Sequence, residues 1–140
     1  MRGASTRAVR MTFPEPATLL RHRPPAVLVR EVIELSGDRL VATSNGAGPW
    51  TWPALLEGGA QAAGLLVGTQ VDGLSSRAVI ADYRQVGIGA ATHAGAVRFT
   101  ATIDRRVMQF WRCRIEVHDG AGALLLHATV TLAPPSGERR

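Results

Sequence analysis

Only one segment of this sequence, residues 51–70, has the pattern of a long α-helix, and this constrains the fold more than any other feature. Its apolar residues recur at helical spacing, and Thr51 and Pro53 are typical of an N-cap and a first helical turn. Four glycines interrupt the segment: Gly58, Gly59, Gly64 and Gly68. Each glycine costs a helix about 1 kcal/mol relative to alanine. Such a helix is favoured where another element packs very close to it, as a tightly wrapped sheet would.

Strand patterns lie on both sides of this helix. We place them at residues 26–35, 39–44, 77–86, 96–105, 107–118 and 124–132. Ser36-Gly37-Asp38 and Asp119-Gly120-Ala121-Gly122 have the chemistry of hairpin turns. A single helix and a long antiparallel sheet must bury their apolar faces on each other. The sequence therefore predicts an α+β fold in which the sheet wraps around one central helix, with open edges that favour a dimer with a continuous sheet.

The length of 140 residues and the hydrophobic fraction of 46% indicate one globular domain. We assign this domain to residues 14–134, beginning with a short helix at 14–22. Residues 1–13 are expected to form a flexible leader and residues 135–140 a flexible tail. No apolar stretch reaches the roughly 18 residues of a membrane span, and none follows the basic N-terminus as in a secretory signal. We therefore expect a cytoplasmic protein without a membrane span.

The net charge of +5 comes from 16 basic residues, all of them arginine. The arginines are scattered along the chain without a stacking pattern or a recognition helix, so nucleic-acid binding is not expected. A positive face is instead suited to attract an acidic partner protein.

Two segments of the chain resemble the dehydratases that act on 3-hydroxyacyl chains carried on acyl carrier protein. Leu20-Arg21-His22-Arg23-Pro24-Pro25, followed by a hydrophobic strand, resembles that family's opening Leu-Pro-His-Arg-x-Pro. Glu57-Gly58-Gly59-Ala60-Gln61-Ala62-Ala63-Gly64 is similar to its helix motif Glu-x-x-Ala-Gln-Ala-Ala-Gly. The order of the remaining strands also agrees, over roughly residues 18 to 133. The resemblance implies the hot-dog fold and thioester chemistry.

The chain departs from the common dehydratases ahead of the helix. Those proteins carry a Gly-His-Phe-Pro loop whose histidine is a catalytic base, whereas residues 45–54 here contain no histidine. Arg30-Glu31 also replaces the usual Asp-Arg after the first strand motif. A divergent branch associated with aryl polyene pigments lacks the loop histidine as well. It keeps the opening histidine, a Pro-Ala before the helix and the glutamate, and His22 and Pro53-Ala54 fit that branch better.

Glu57 is the principal candidate for chemistry. Dehydration of a 3-hydroxyacyl thioester needs a base, an acid and a donor that polarises the thioester carbonyl. A carboxylate near the start of the helix is expected to gain from free backbone N–H groups there, and the same groups are candidates to face a thioester oxygen. The alternative is a solvated surface residue, which the nonpolar neighbours of Glu57 on both sides disfavour.

Other residues are candidates for supporting roles. His22 is the candidate acid–base partner, since imidazole has an unperturbed pKa of about 6.5; the alternative is a structural histidine. Gln61, one helical turn after Glu57, either orients that carboxylate or serves as a packing or interface amide. Trp50, Trp52 and Pro53 flank the helix start and either line an acyl tunnel or pack in the core.

No metal or cofactor is expected. The remaining histidines, His93, His118 and His127, form no pair with metal-ligand spacing and a third ligand. We place His93 in an exposed loop. The single cysteine, Cys113, lies in an alternating stretch and is interpreted as a small core hydrophobe rather than as a nucleophile.

The leading hypothesis is a homodimeric 3-hydroxyacyl-thioester dehydratase of fatty acid or polyketide- and polyene-type biosynthesis. Its substrate would be carried on an acidic acyl carrier protein, with Glu57 and His22 sharing the proton work. A thioesterase on the same fold, in which Glu57 activates water, is the nearest alternative. The third hypothesis is a non-catalytic acyl-binding subunit that has lost its loop histidine and pairs with a competent homologue.

Overall fold

A computed structural model describes residues 27–70 and 79–133 of the chain. The elements in chain order are β1 (Val29–Ser36), β2 (Arg39–Ser44), β3 (Trp50–Thr51), α1 (Trp52–Gly68), β4 (Val79–Ile88), β5 (Thr92–His93), β6 (Val97–Val107), β7 (Phe110–Asp119) and β8 (Leu124–Ala133). The predicted leader at 1–13, the helix at 14–22 with His22, and the tail at 135–140 lie outside the described residues.

Six of the strands form one antiparallel sheet in the order β1-β2-β6-β7-β8-β4. Alternate residues of each strand face the helix, because side chains in a strand point to opposite faces in turn. One such cross-strand row consists of buried Ala42, Phe99, Val117 and Leu126. The predicted architecture of one helix within a long antiparallel sheet is confirmed.

Helix α1 is buried on almost every side from Gly58 to Gly68. A Cβ added to Gly58 would collide with the Phe99 ring, and one added to Gly59 would lie 2.7 Å from Cδ1 of Ile115. These two glycines therefore let the helix approach the inner face of β6 and β7, as the glycine-rich sequence predicts. Gly64 has open space around it, so packing does not require a glycine at that position.

This difference predicts opposite effects of two alanine substitutions. We expect Gly58→Ala to lower the free energy of unfolding by about 1–3 kcal/mol, because the added methyl overpacks the helix–sheet contact. Gly64→Ala, the matched control, should raise it by up to about 1 kcal/mol through helix propensity. Urea unfolding of both variants measures the difference. Equal stability of the two proteins would contradict the close approach of α1 to Phe99.

The structure differs from the sequence prediction at one turn and in one strand pairing. The predicted break at residue 106, between the fourth and fifth predicted strands, is wrong: β6 continues to Val107 and the turn is Met108-Gln109. Met108 takes a φ of 56° without the glycine or asparagine that normally marks such a turn. The short pairing of β3 with β5 was not predicted either, since two-residue strands carry no periodicity.

Candidate functional site

Glu57 lies in the second turn of α1 and is half-buried. Gln61, one turn further along, is only 3% exposed, and its Nε2 donates a hydrogen bond to Glu57 Oε2 at 3.3 Å. A buried amide that donates to a carboxylate restricts the rotamers of that carboxylate. The two residues therefore form one unit on the same face of the helix.

The orientation of the Gln61 amide is fixed by a second hydrogen bond, which its oxygen accepts. The backbone N–H of Leu28 donates to Gln61 Oε1 at 2.8 Å. An N–H can only face an oxygen acceptor, so this bond turns the Nε2 donor of Gln61 towards Glu57. The segment before β1 thereby helps to position the carboxylate.

Tyr83 belongs to the same site, although no sequence motif pointed to it. It lies on β4 opposite Val130, whose side chain is fully buried, and packs against the core. Burial raises the pKa of the Tyr83 phenol above 10.0, and the negative charge of Glu57 raises it further. The phenol is therefore protonated at neutral pH and able to donate a hydrogen bond near the carboxylate. Its inward position in the strand alternation was the only available signal.

The site lies where the wrapped sheet is open. Leu28 leads into β1 and Tyr83 is on β4, and these strands are the two opposite edges of the six-stranded sheet. Both edges nevertheless contact α1: Leu28 bonds to Gln61, and β4 packs on the helix with Tyr83 within the electrostatic influence of Glu57. The sheet therefore curls around α1 until its edges flank Glu57, and we call this opening the seam.

The helix N-terminus contributes less than expected. Glu57 lies beyond the first turn of α1, which contains no acidic residue. The favourable effect of free N–H groups on a carboxylate falls off within that turn. The prediction that these groups stabilise the Glu57 carboxylate is therefore wrong. The N–H of Trp52 donates to the carbonyl of Ala91 at 3.0 Å, and Pro53 has no N–H. Fewer first-turn donors therefore remain for a thioester oxygen.

The two tryptophans before and at the helix start have different environments. Trp50 is buried, and its Nε1 donates to the carbonyl of Gly95 at 2.8 Å, so it packs in the core and connects β3 to the loop before β6. Trp52 is 37% exposed and Pro53 is exposed in the first turn. Of the pair, Trp52 is therefore the one open to a ligand.

The remaining histidines and the cysteine lie elsewhere. The placement of His93 in an exposed loop is wrong, because it is half-buried and pairs with Trp50 through β5. Cys113 is fully buried; burial, and secondarily the charge of Asp104, raises the pKa of its thiol to about 12. Such a thiol is not a nucleophile near neutral pH. His22 lies outside the described residues.

Residues 27–70 and 79–133 contain no cluster of three or more His, Cys, Asp or Glu side chains suited to hold a metal ion. Within the same ranges, no helix has the length and apolarity needed to cross a bilayer.

No protein-family model and no curated protein sequence matches this chain, but solved structures do. The dehydratase heterocomplex ApeI:P from Xenorhabdus doucetiae matches with a TM-score of 0.75 at 16% identity, over 89% of this chain and 93% of that chain. Thioesterase HI1161 from Haemophilus influenzae matches with a TM-score of 0.60 at 14% identity, over 74% of this chain and 76% of that chain. The PaaI protein of the E. coli phenylacetic acid degradation operon matches with a TM-score of 0.58 at 15% identity, over 73% of this chain and 80% of that chain.

These likenesses, together with the strand order, confirm the hot-dog fold. Both dehydratases and thioesterases are among the similar structures. At identities of 14–16% the likeness establishes the fold alone.

Proposed function

We propose that this protein is a 3-hydroxyacyl-thioester dehydratase that uses Glu57 at the seam as a proton-transfer group. The observation that carries the proposal is the Glu57–Gln61–Leu28 hydrogen-bond chain, which holds a carboxylate in an otherwise apolar helix. A surface carboxylate would not need a buried amide whose orientation is set by a backbone N–H. The structural similarity to a dehydratase heterocomplex supports the same reaction class.

The reaction moves protons without a cofactor. A base removes the α-proton of the thioester, the electron pair forms the α,β double bond, and the β-hydroxyl leaves as water after taking up a proton from an acid. We assign one of these two roles to Glu57 and the other to His22, as the resemblance of both motifs implies. Gln61 acts as a positioning residue for Glu57, and Trp52 and Pro53 line the approach to the seam.

Tyr83 is our candidate for the donor that polarises the thioester carbonyl. Its phenol is protonated at neutral pH, and it lies close enough to Glu57 for that charge to raise its pKa. A donor already oriented in the site costs no reorganisation when negative charge develops on the thioester oxygen. The Tyr83 hydroxyl would serve in place of backbone donors at the helix N-terminus, because Trp52 and Pro53 offer no free N–H there.

We further propose that two copies pair along β4. Within the described residues β4 is hydrogen-bonded only to β8, so its other edge is open over ten residues. Ile80, Val86 and Ile88 are exposed on this strand. A long apolar edge is a template for another strand, and a strand added there would flank the seam from the side of Tyr83. The second copy would then close the site around Glu57.

An acyl thioesterase is the second candidate, favoured by the similarity to thioesterase HI1161. In that reaction Glu57 would activate a water molecule that attacks the thioester carbonyl, and the thiol would leave. The same carboxylate, amide and phenol serve both reactions. The difference lies in whether the proton acceptor faces Cα of the substrate or a water.

A partner subunit is the third candidate. The similar dehydratase is a heterocomplex, and residues 45–54 of this chain lack the loop histidine of the common dehydratases. A homologous chain would then supply the missing imidazole. The carrier of the acyl group is proposed to be an acidic acyl carrier protein, which the net charge of +5 would attract.

One experiment separates the three candidates. The purified protein, whose native mass should be at least twice 14.9 kDa, is incubated with a 3-hydroxyacyl and a saturated acyl thioester of the same pantetheine carrier. We expect an α,β-unsaturated thioester from the first substrate and no product from the second. Free thiol from the saturated substrate would favour the thioesterase. Neither product from the protein alone, but an alkene after addition of a homologous subunit, would favour the partner subunit.

A further inference from the structure

The hairpin between β6 and β7 ends in an apolar tip that nothing in the described structure covers. We define the hairpin tip as Val107, Met108, Gln109 and Phe110. Met108 at its apex is 85% exposed, and Val107 and Phe110 are 45% and 37% exposed. Three exposed apolar side chains at the end of a hairpin form an apolar patch, and such patches on a protein surface often mark interaction sites.

The backbone of the tip is unfavourable for the residue it carries. Met108 adopts a φ of 56°, a conformation that glycine, asparagine and aspartate accept most readily. A side chain with no folding role would be replaced by one of those residues at no loss of packing, because Met108 makes few contacts at 85% exposure. The strained backbone and the exposed side chain together single out Met108 as the residue of the tip whose presence folding does not explain.

Arginines surround the base of the tip. We define the arginine collar as Arg105, Arg106 and Arg112. Arg105 and Arg112 are directly opposite each other in the β6–β7 ladder, and like charges at that position are destabilising. No ion pair joins either of them to a described residue. The nearby acidic Asp104 lies 3.9 Å from Arg114 instead.

Arg106 completes the collar on the other face of the hairpin. Its guanidinium lies 4.3 Å from the centroid of the Trp111 ring, which is the cross-strand partner of Arg106. Stacking on the aromatic ring restricts the position of the guanidinium without neutralising its charge. Positive charge therefore flanks the apolar tip on both faces.

We propose that the hairpin tip and the arginine collar dock this protein onto an anionic lipid bilayer. Met108 lies three positions beyond Arg105, which is about 10 Å along a strand. Interfacial segments bury their apolar residues about 5–10 Å beyond the headgroup boundary. The tip thus reaches the acyl region when the collar lies at the phosphates, whose charge it neutralises.

Other occupants fit the same surface less well. Two copies of this chain meeting at their tips would bring two arginine collars together without an acidic counterpart. A nucleic acid would meet the thioether of Met108 at the apex, and the Trp111 ring is already covered by Arg106, so Phe110 alone would be left for base stacking. An acidic protein would satisfy the collar, but the convex apex would then require a matching apolar pocket in that partner.

The tip lies at the far end of the molecule from Glu57. Phe99 of β6 packs against Gly58, next to Glu57, whereas Ile103 bonds to the carbonyl of Asp38 beside the β1–β2 turn. The strand then continues to Val107, about 26 Å beyond Phe99 at the rise of a strand. A protein anchored by its tip would keep the seam away from the bilayer, so the inference does not depend on the proposed reaction.

The test is co-sedimentation with vesicles made of equal parts phosphatidylcholine and phosphatidylglycerol, against vesicles of phosphatidylcholine alone. We expect binding to the anionic vesicles only. Met108→Asn should weaken it by at least about fivefold through lost apolar contact, while asparagine accepts the positive φ and keeps the turn intact. Arg105→Gln and Arg112→Gln should each weaken it by about fivefold. Arg98→Gln, the same charge change on β6 away from the tip, should have no effect.

A parallel titration with polyglutamate distinguishes a bilayer from an acidic protein. We expect polyglutamate binding, if it occurs, to be unchanged by Met108→Asn. The proposal is overturned if the wild-type protein does not bind anionic vesicles, if Met108→Asn binds them as well as the wild type, or if Arg98→Gln weakens binding as much as Arg105→Gln. Equal losses of vesicle and polyglutamate binding in Met108→Asn would assign the tip to an acidic polypeptide.

Discussion

Replacing Glu57 with glutamine is expected to lower turnover of the 3-hydroxyacyl thioester at least about a hundredfold, the typical scale of an acid–base group. The amide has the size of the carboxylate but cannot take up or release a proton. Its oxygen can still accept the hydrogen bond that Gln61 Nε2 now donates to Glu57 Oε2 at 3.3 Å. The fold and the substrate pocket should therefore persist, and the loss should appear in kcat rather than in KM.

Two measurements make this result specific. Thermal unfolding of Glu57→Gln should match the wild type, because no packing contact is removed. Tyr83→Phe, which removes only the phenol hydroxyl, should cause a smaller loss if that group polarises the carbonyl, about tenfold to a hundredfold. Undiminished turnover of Glu57→Gln on its substrate would remove this residue from the mechanism.

Replacing His22 with alanine is expected to reduce turnover about as severely as Glu57→Gln. Residues 45–54 offer no group that exchanges a proton near neutral pH, so a dehydratase must take its imidazole from elsewhere. His22 is the only histidine within a segment that resembles the family's motifs. His22 precedes Val27 by five positions, a reach of at most about 18 Å, and the N–H of Leu28, next to Val27, donates to Gln61.

The double variant tests whether the two residues act together. We expect His22→Ala combined with Glu57→Gln to be hardly slower than either single variant, because groups that act as a unit are not additive. His22→Gln is the matched control, since glutamine preserves hydrogen bonding but not proton exchange. Full recovery of activity in His22→Gln would assign His22 a structural role, and a stable, fully active His22→Ala would disprove the pair.

Much of the fold followed from the sequence because its signals are local. Helical spacing between residues 51 and 70 and alternation in the six strands depend on neighbouring residues only. The glycines of the helix also predicted a close contact correctly, since Gly58 and Gly59 face Phe99 and Ile115. The turn at Met108 escaped prediction, because its positive φ lacks the usual residue type.

The candidate site was accessible from the sequence only in part. Glu57 and Gln61 are one helical turn apart, so the spacing alone allows their hydrogen bond. Tyr83 is 26 positions away from Glu57 in the sequence and on another element. Its proximity arises because opposite edges of the sheet curl to the same side of the helix, which no local pattern encodes.

The sequence by itself therefore determined the order of elements, the glycine-rich central helix and the placement of a carboxylate and an amide on one helix face. Only the tertiary structure decided what surrounds them. It bonded the Leu28 N–H to Gln61 and brought the Tyr83 phenol within the electrostatic influence of Glu57. It also used the Trp52 N–H in a bond to the Ala91 carbonyl and left Met108 exposed near paired arginines. Periodicity reports which face of an element is buried, whereas the contacts between distant elements depend on how the sheet curls in three dimensions.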